Sequence, residues 1–155
     1  MEENKRRPLI GVGAIVFDSY GRILLVKRGA PPQMGKWAIP GGHLELGETI
    51  FEGVKRELYE ETGLEGEPKC IVNVDELIVN GVDGSVKRHY ILIDVFFERV
   101  WGELRAASDA LEAKFFEAEE AQSRNDVSFS TKTFLKKLLN DELYCIETYV
   151  NRYAE

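Results

Sequence analysis

Glu57, Glu60 and Glu61 stand at i, i+3 and i+4 in a segment of helical periodicity, so their carboxylates emerge on one face. Like charges at that spacing cost an isolated helix roughly 0.2–0.5 kcal/mol per pair. Arg56, four residues before Glu60, offers partial relief. A solvated acidic face is the ordinary explanation of such a cluster, but two features point elsewhere. Gly53 lies one turn before Glu57 on the same face, at a helix-interior cost of about 0.5–1 kcal/mol, and leaves room for something to approach. Glu48 lies just before the helix, next to a Gly41-Gly42 pair whose carbonyls could face the same space. Carboxylates clustered with a carbonyl oxygen are ligands for a hard cation, Mg2+ or Mn2+.

The charge distribution agrees. The chain has 155 residues and a net charge of −7, and residues 41–65 hold seven acids against Lys55 and Arg56. Spread evenly, such acidity would favour solubility and oppose non-specific binding to nucleic acid. Focused in one segment, it asks for a cation.

The elements that must hold these groups are legible from local signals. Thr49 followed by Glu52 forms a capping box, and Gly63 is a natural C′ residue, so the acidic helix runs between them with Phe51, Val54 and Leu58 as its apolar stripe. Upstream, residues 8–28 read as a hairpin around Asp18-Ser19-Tyr20-Gly21. Gly29 to Gly35 is a loop, and Trp37-Ala38-Ile39 is a short extended piece because Pro40 biases Ile39 away from helix. Gly41-Gly42 reads as a backbone turn. Downstream, residues 70–79 and 86–99 are strands joined by Asn80-Gly81-Val82-Asp83-Gly84, and residues 112–116 form a further short strand. From Thr131 onward, Leu135, Leu138, Leu139, Leu143, Ile146, Tyr149 and Val150 share one helical face, which predicts a long terminal helix with Asn140-Asp141 as a candidate break. Neither repeats nor linkers interrupt the chain. The expectation is one α+β domain over residues 1–155, a mixed sheet with helices packed on it.

Composition excludes several classes. Apolar residues make up 44% and charged residues 30%, a globular profile. No run reaches the eighteen or so apolar residues of a membrane span, and the N-terminus is polar with no signal peptide visible. Cys70 and Cys145 offer at most one bridge and no metal-ligand spacing, which suits a reducing compartment. A cytoplasmic protein with neither membrane nor nucleic-acid partners is expected.

Gly42, Glu48, Arg56-Glu57-Leu58, Glu60-Glu61 and Gly63-Leu64 together resemble the signature box of the Nudix hydrolases, G-x5-E-x7-R-E-U-x-E-E-x-G-U with U aliphatic, at all nine specified positions. The preceding Gly35 to Gly42 and the order of strands look like the family as well. The resemblance implies an α/β/α sandwich around a mixed sheet, the box forming loop, helix and loop. It also implies hydrolysis of a nucleoside diphosphate linked to another moiety, with a divalent metal reversing the sign of the acidic pocket toward the anionic substrate.

By position, the resemblance makes Glu57, Glu60, Glu61 and the Gly41 carbonyl metal ligands. Arg56 would orient the carboxylates, and Glu48 would support the loop or reach a second metal through water. Ser108-Asp109-Ala110-Leu111-Glu112-Ala113-Lys114-Phe115-Phe116 resembles a family segment that normally ends in Trp-Phe, and Asp109 falls where a further acidic ligand is common. Glu57 is the first choice of general base, with Asp109, Glu112, Glu117, Glu119 and Glu120 as alternatives. Arg28 matches a position that often touches substrate phosphate, with an ordinary strand-end arginine as the equal alternative. Trp37 could stack on a base, although a tryptophan in a short strand more commonly belongs to the core. His43 and His89 lack ligand partners in sequence. Homodimers are frequent among such proteins.

The Gly-Val-Gly start, the Pro-Gly-Gly-His-Leu-Glu-Leu-Gly-Glu stretch and the Ser-Asp-Ala-Leu-Glu-Ala segment are similar to an ADP-ribose pyrophosphatase-like group, which implies cleavage of ADP-ribose to AMP and ribose 5-phosphate. Val79-Asn80-Gly81 departs from a subgroup that carries a proline about fifteen residues after the box. A nucleoside triphosphate pyrophosphohydrolase and a non-catalytic nucleotide-sugar sensor are the alternatives; an isoprenyl diphosphate isomerase is disfavoured because neither cysteine lies near the box.

Overall fold

The computed structural model describes residues 7–155. In chain order the elements are β1 (Leu9–Ile15), β2 (Ile23–Arg28), β3 (Trp37–Ala38), β4 (Gly41–His43), α1 (Ile50–Thr62), β5 (Glu65–Asn80), β6 (Val86–Trp101), β7 (Ala110–Phe116), α2 (Ala118–Ser123) and α3 (Phe129–Leu139). They form two sheets. One is mixed, in the order β4-β1-β6-β5, with β1 and β6 parallel; the other is antiparallel, in the order β3-β2-β7.

The hairpin expected over residues 8–28 exists only at its turn. Asp18 Oδ1 accepts from the amides of Tyr20 and Arg22, and Leu24 N donates to Val16 O at 2.9 Å. Beyond that point the strands part into different sheets. The cause is visible in β2, where Ile23, Leu24, Leu25 and Val26 are all buried, so both faces of the strand need a partner. Leu24, Val12, Ala14 and Val16 face Val54 and Leu58 of α1. Ile15, Ile23 and Leu25 face the opposite way, toward Trp37, Phe116, Phe134 and Leu135. Two cores on opposite sides of the strands produce the layered arrangement.

The acidic helix begins and ends where its signals place it. Thr49 and Glu52 make both bonds of the capping box, and Gly63 at φ 73° donates its amide to Tyr59 O.

Three expectations need correction. Gly41-Gly42 is not a turn but part of β4, paired with β1. A Cβ on Gly41 would overlap the Val12 carbonyl, so close approach rather than a left-handed backbone demands glycine there. The terminal helix stops at Leu139, and Asp141 adopts φ 56°. Beyond it the chain is extended: Ile146 exchanges two backbone hydrogen bonds with Ile71 of β5, at 2.8 and 2.9 Å. Beside that bridge Cys70 and Cys145 form a disulfide with Cα atoms 5.5 Å apart, so the cysteines lend no support to a reducing compartment. Among the described residues no helix is long and apolar enough to cross a membrane.

Candidate active site

The helix α1 carries the acids, and Arg56 organises them. Its guanidinium holds Glu48 with two bonds, Nε to Oε2 at 2.7 Å and Nη2 to Oε1 at 3.0 Å. Nη2 also donates to the His43 carbonyl, while Nη1 reaches Glu57 Oε1 at 2.7 Å and Glu60 Oε2 at 3.3 Å. One cation thus ties the loop before α1 to two carboxylates on its face. The hydrogen bonds from Arg56 hold the Glu48 carboxyl below its ordinary pKa, and both Glu48 oxygens are engaged, Oε1 also accepting from Glu45 N. Of the two roles considered for Glu48, this geometry matches support of the loop. Gly53 serves the same contact: a Cβ there would stand 2.6 Å from Leu44 and 2.9 Å from Glu48, so the space it leaves is filled by the loop and not by an approaching ligand.

Beside this cluster opens a cleft of about 850 Å³, within the usual range for small-molecule sites. Gly41, Gly42, Glu57 and Glu61 form one wall, and Arg28 and Asp109 also line it. Asp109 reaches the site because the preceding loop is laced to the end of α1, with Arg105 N donating to Thr62 O and Ala107 N to Glu61 O. Gly29 N then bonds to Asp109 O, bringing the end of β2 alongside. Arg28 spends its Nε on the Pro32 carbonyl at 2.7 Å while remaining on the cleft wall.

The electrostatics single out Glu61. Burial, with Glu57 and Asp109 adding to it, pushes its carboxyl up to about 8 against the opposing Gly41 amide and Arg28. Burial likewise lifts Glu57 above its usual range despite Arg56. Among the described residues no three His, Cys, Asp or Glu side chains converge closely enough to enclose an ion. The donor set nevertheless fits a hard cation, since Mg2+ characteristically takes one or two carboxylates and completes its shell with water and substrate phosphate. Glu57 and Glu61, two under-compensated carboxylates on one cleft wall, suit such an open site.

The structure therefore brings Gly41, Glu57, Glu61, Asp109 and Arg28 together. Glu60 is half-exposed and touches Arg56, outside the cleft lining, as are Arg56 and Glu48. Trp37 is a correction: it is 4% exposed, packed edge-on against Phe116 with ring centroids 4.9 Å apart, and does not line the cleft, so no base can stack on it there. Of the alternative bases, Glu112 pairs with Lys27 and Glu120 with Arg124, and only Asp109 shares the cleft with Glu57. The His43 ring stacks on Tyr90. Sequence reasoning passed over Asp94 and Asp75, which also line the cleft; a charged residue inside the apolar run of β6 was the available signal.

The NUDIX domain family model matches residues 7–138. This chain belongs to the NUDIX family. Hydrolases of the family generally use divalent metal ions. An ADP-ribose pyrophosphatase of Methanocaldococcus jannaschii is 39% identical over 110 residues, which are 71% of this chain and 62% of the relative. The 8-oxo-dGDP phosphatase NUDT18 of Homo sapiens is 36% identical over 63 residues, 41% of this chain and 20% of that protein. The chain thus spans less than two thirds of either relative. A MutT NUDIX hydrolase from Burkholderia pseudomallei superposes with a TM-score of 0.74 at 25% identity, covering 85% of this chain and 98% of the other. The α+β NUDIX fold and the mixed sheet flanked by helices agree.

Proposed function

We propose that the protein hydrolyses the phosphoanhydride of a nucleoside diphosphate linked to another moiety, with ADP-ribose as substrate and AMP and ribose 5-phosphate as products. The observation that carries this reading is Glu61, a buried carboxyl beside Glu57 on a cleft wall, a pairing whose ionised form a cation in the cleft would make favourable. Glu57, Glu61, the Gly41 carbonyl and Asp109 are the residues that would hold divalent metal, Mg2+ or Mn2+; Glu60, outside the cleft lining, would have to swing in from Arg56 to join them. When bound, the metal would offset phosphate charge and acidify water. Glu57, with Oε1 held by Arg56, keeps Oε2 to accept a proton from the attacking water. Arg56 keeps that carboxylate aligned, and Arg28, on the cleft wall near Glu61, would meet the phosphates.

The Methanocaldococcus jannaschii relative's name supports ADP-ribose, and the human relative's name, an 8-oxo-dGDP phosphatase, favours a second reading, hydrolysis of a free nucleotide rather than a nucleotide joined to a sugar. Incubation with ADP-ribose and a panel of nucleoside di- and triphosphates, with and without Mg2+ or Mn2+, followed by mass spectrometry of the products, separates the two. AMP and ribose 5-phosphate formed only with metal support the first reading; turnover confined to the panel transfers the conclusion to the second, and no turnover of any substrate with either metal rejects both.

A further inference from the structure

Asp94 interrupts the apolar run of β6 and is 8% exposed, yet it lines the cleft. Its Oδ2 accepts from Asn73 Nδ2 at 2.9 Å. Among the described residues no hydrogen bond reaches Oδ1, which leans over Gly13: a Cβ built there would stand 2.6 Å from it. Its open side faces the cleft, which leaves the oxygen free to accept from a ligand.

The orientation of Asp94 is imposed from behind. Lys137 of α3 donates to Asn73 Oδ1 at 2.8 Å and to Asp75. With its oxygen so claimed, the Asn73 amide must turn Nδ2 toward Asp94 Oδ2 and Asp75 Oδ2, both at 2.9 Å.

We propose that Asp94 is a specificity-determining residue that reads the nucleobase, its Oδ1 accepting a hydrogen bond from an exocyclic amine such as that of adenine or cytosine. The inference rests on the reading of the cleft as a nucleotide-derivative site. Its position follows from register: Gly41, Gly13 and Asp94 are direct partners across three adjacent strands. Asp94 therefore lies two strand spacings, about 10 Å, from the backbone that touches Glu61. A nucleotide with phosphate at Glu57 and Glu61 places its sugar in between and its base at that reach. Gly11 and Gly13 on β1 line the cleft in between, where the side chains of Leu92, Ile39 and Asp94 itself stand over the glycines and would flank a planar ring.

Asp94→Asn supplies a directional test. Asn73 Nδ2 can be satisfied only by an oxygen, so the new amide must put its oxygen toward Asn73 and its NH2 toward the cleft. The cleft-facing atom changes from acceptor to donor, and the preference should turn from amine-bearing to oxo-bearing bases. Calorimetric binding of AMP against IMP, and of CMP against UMP, at pH 8.5 requires no turnover. The wild-type protein should favour the amine member of at least one pair about tenfold or more, and Asp94→Asn should lose or reverse that preference. Equal wild-type affinity within both pairs overturns the proposal without any variant, as does an amine preference that survives Asp94→Asn. No binding of any of the four overturns it too. Should Asp94→Asn fail to fold, the wild-type comparison decides. Amine preference without hydrolysis of any substrate would leave Asp94 assigned and remove the hydrolase reading; hydrolysis without amine preference would do the reverse.

Discussion

The amide of Gly41 donates to Glu61 Oε2 at 3.2 Å, joining the β4 edge to the acidic helix at a buried carboxylate of the cleft. That single donor does not offset burial and the neighbouring acids, so Glu61 sits at about 8 rather than in the ordinary carboxylate range. A divalent cation that binds only the folded protein stabilises it by mass action and also relieves this repulsion. Saturating Mg2+ or Mn2+ is expected to raise the thermal midpoint by several degrees at pH 8, and by less in Glu61→Gln. An unchanged midpoint for the wild-type protein, followed by calorimetry with and without chelator, would contradict the metal assignment.

Glu57→Gln removes the proposed proton acceptor while keeping shape and most hydrogen bonding to Arg56. Steady-state turnover should fall by about three orders of magnitude or more, with little change in the unfolding transition. Near-normal turnover of the purified, folded variant would refute the role given to Glu57.

Gly41 and Gly42 fail differently when given a methyl group. At Gly41 the Cβ would overlap the Val12 carbonyl, a backbone atom that cannot move without displacing β1. Gly41→Ala should therefore unfold at markedly lower denaturant. At Gly42 the Cβ would stand 2.5 Å from the Glu57 carboxyl, a side chain that can swing away. Gly42→Ala should keep most stability and lose activity, roughly tenfold to a hundredfold. Denaturation midpoints and kcat measured on both variants check the contrast.

Asp94 links stability to pH. Burial chiefly, with Asp75 adding and Asn73 and Lys137 opposing, raises its carboxyl to about 7 from an ordinary 3.8. Between those values the folded chain keeps a proton that the unfolded chain releases, so stability falls as pH rises toward 7. Relative to Asp94→Asn, the wild-type protein should lose on the order of 3 kcal/mol between pH 4 and pH 8. Urea midpoints of the two proteins across that range provide the measurement, and a constant difference would show that Asp94 titrates normally.

The Cys70–Cys145 bridge closes a loop across 75 residues of sequence. Constraint of so long a loop in the unfolded chain is worth up to about 4 kcal/mol. Cys145→Ser should lower the thermal midpoint and expose the residues 140–155 segment to protease, without loss of turnover. Equal proteolysis of variant and wild-type protein would show that the Ile71–Ile146 backbone pairing alone holds the tail.

Elements that depend on near neighbours were readable from the chain. Thr49, Glu52 and Gly63 bound the helix by contacts within a turn of themselves, and the spacing of Glu57, Glu60 and Glu61 sets their common face at any helix position. The box also carried the family. Where a residue's fate depended on distant partners, the same local signals misled. Leu143, Ile146 and Val150 keep helical spacing, but the backbone of Ile146 pairs with Ile71 and the helix ends before it. Gly53 looked like room for a ligand and is room for Glu48. Only tertiary packing could retire Trp37 into the core, lace Asp109 to the end of α1, or turn a lone Asp94 into an oriented acceptor, because each outcome is a contact between segments tens of residues apart. Residue spacing along one helix determined the chemistry on offer; the pairing of strands from separate parts of the chain decided which groups share the cleft.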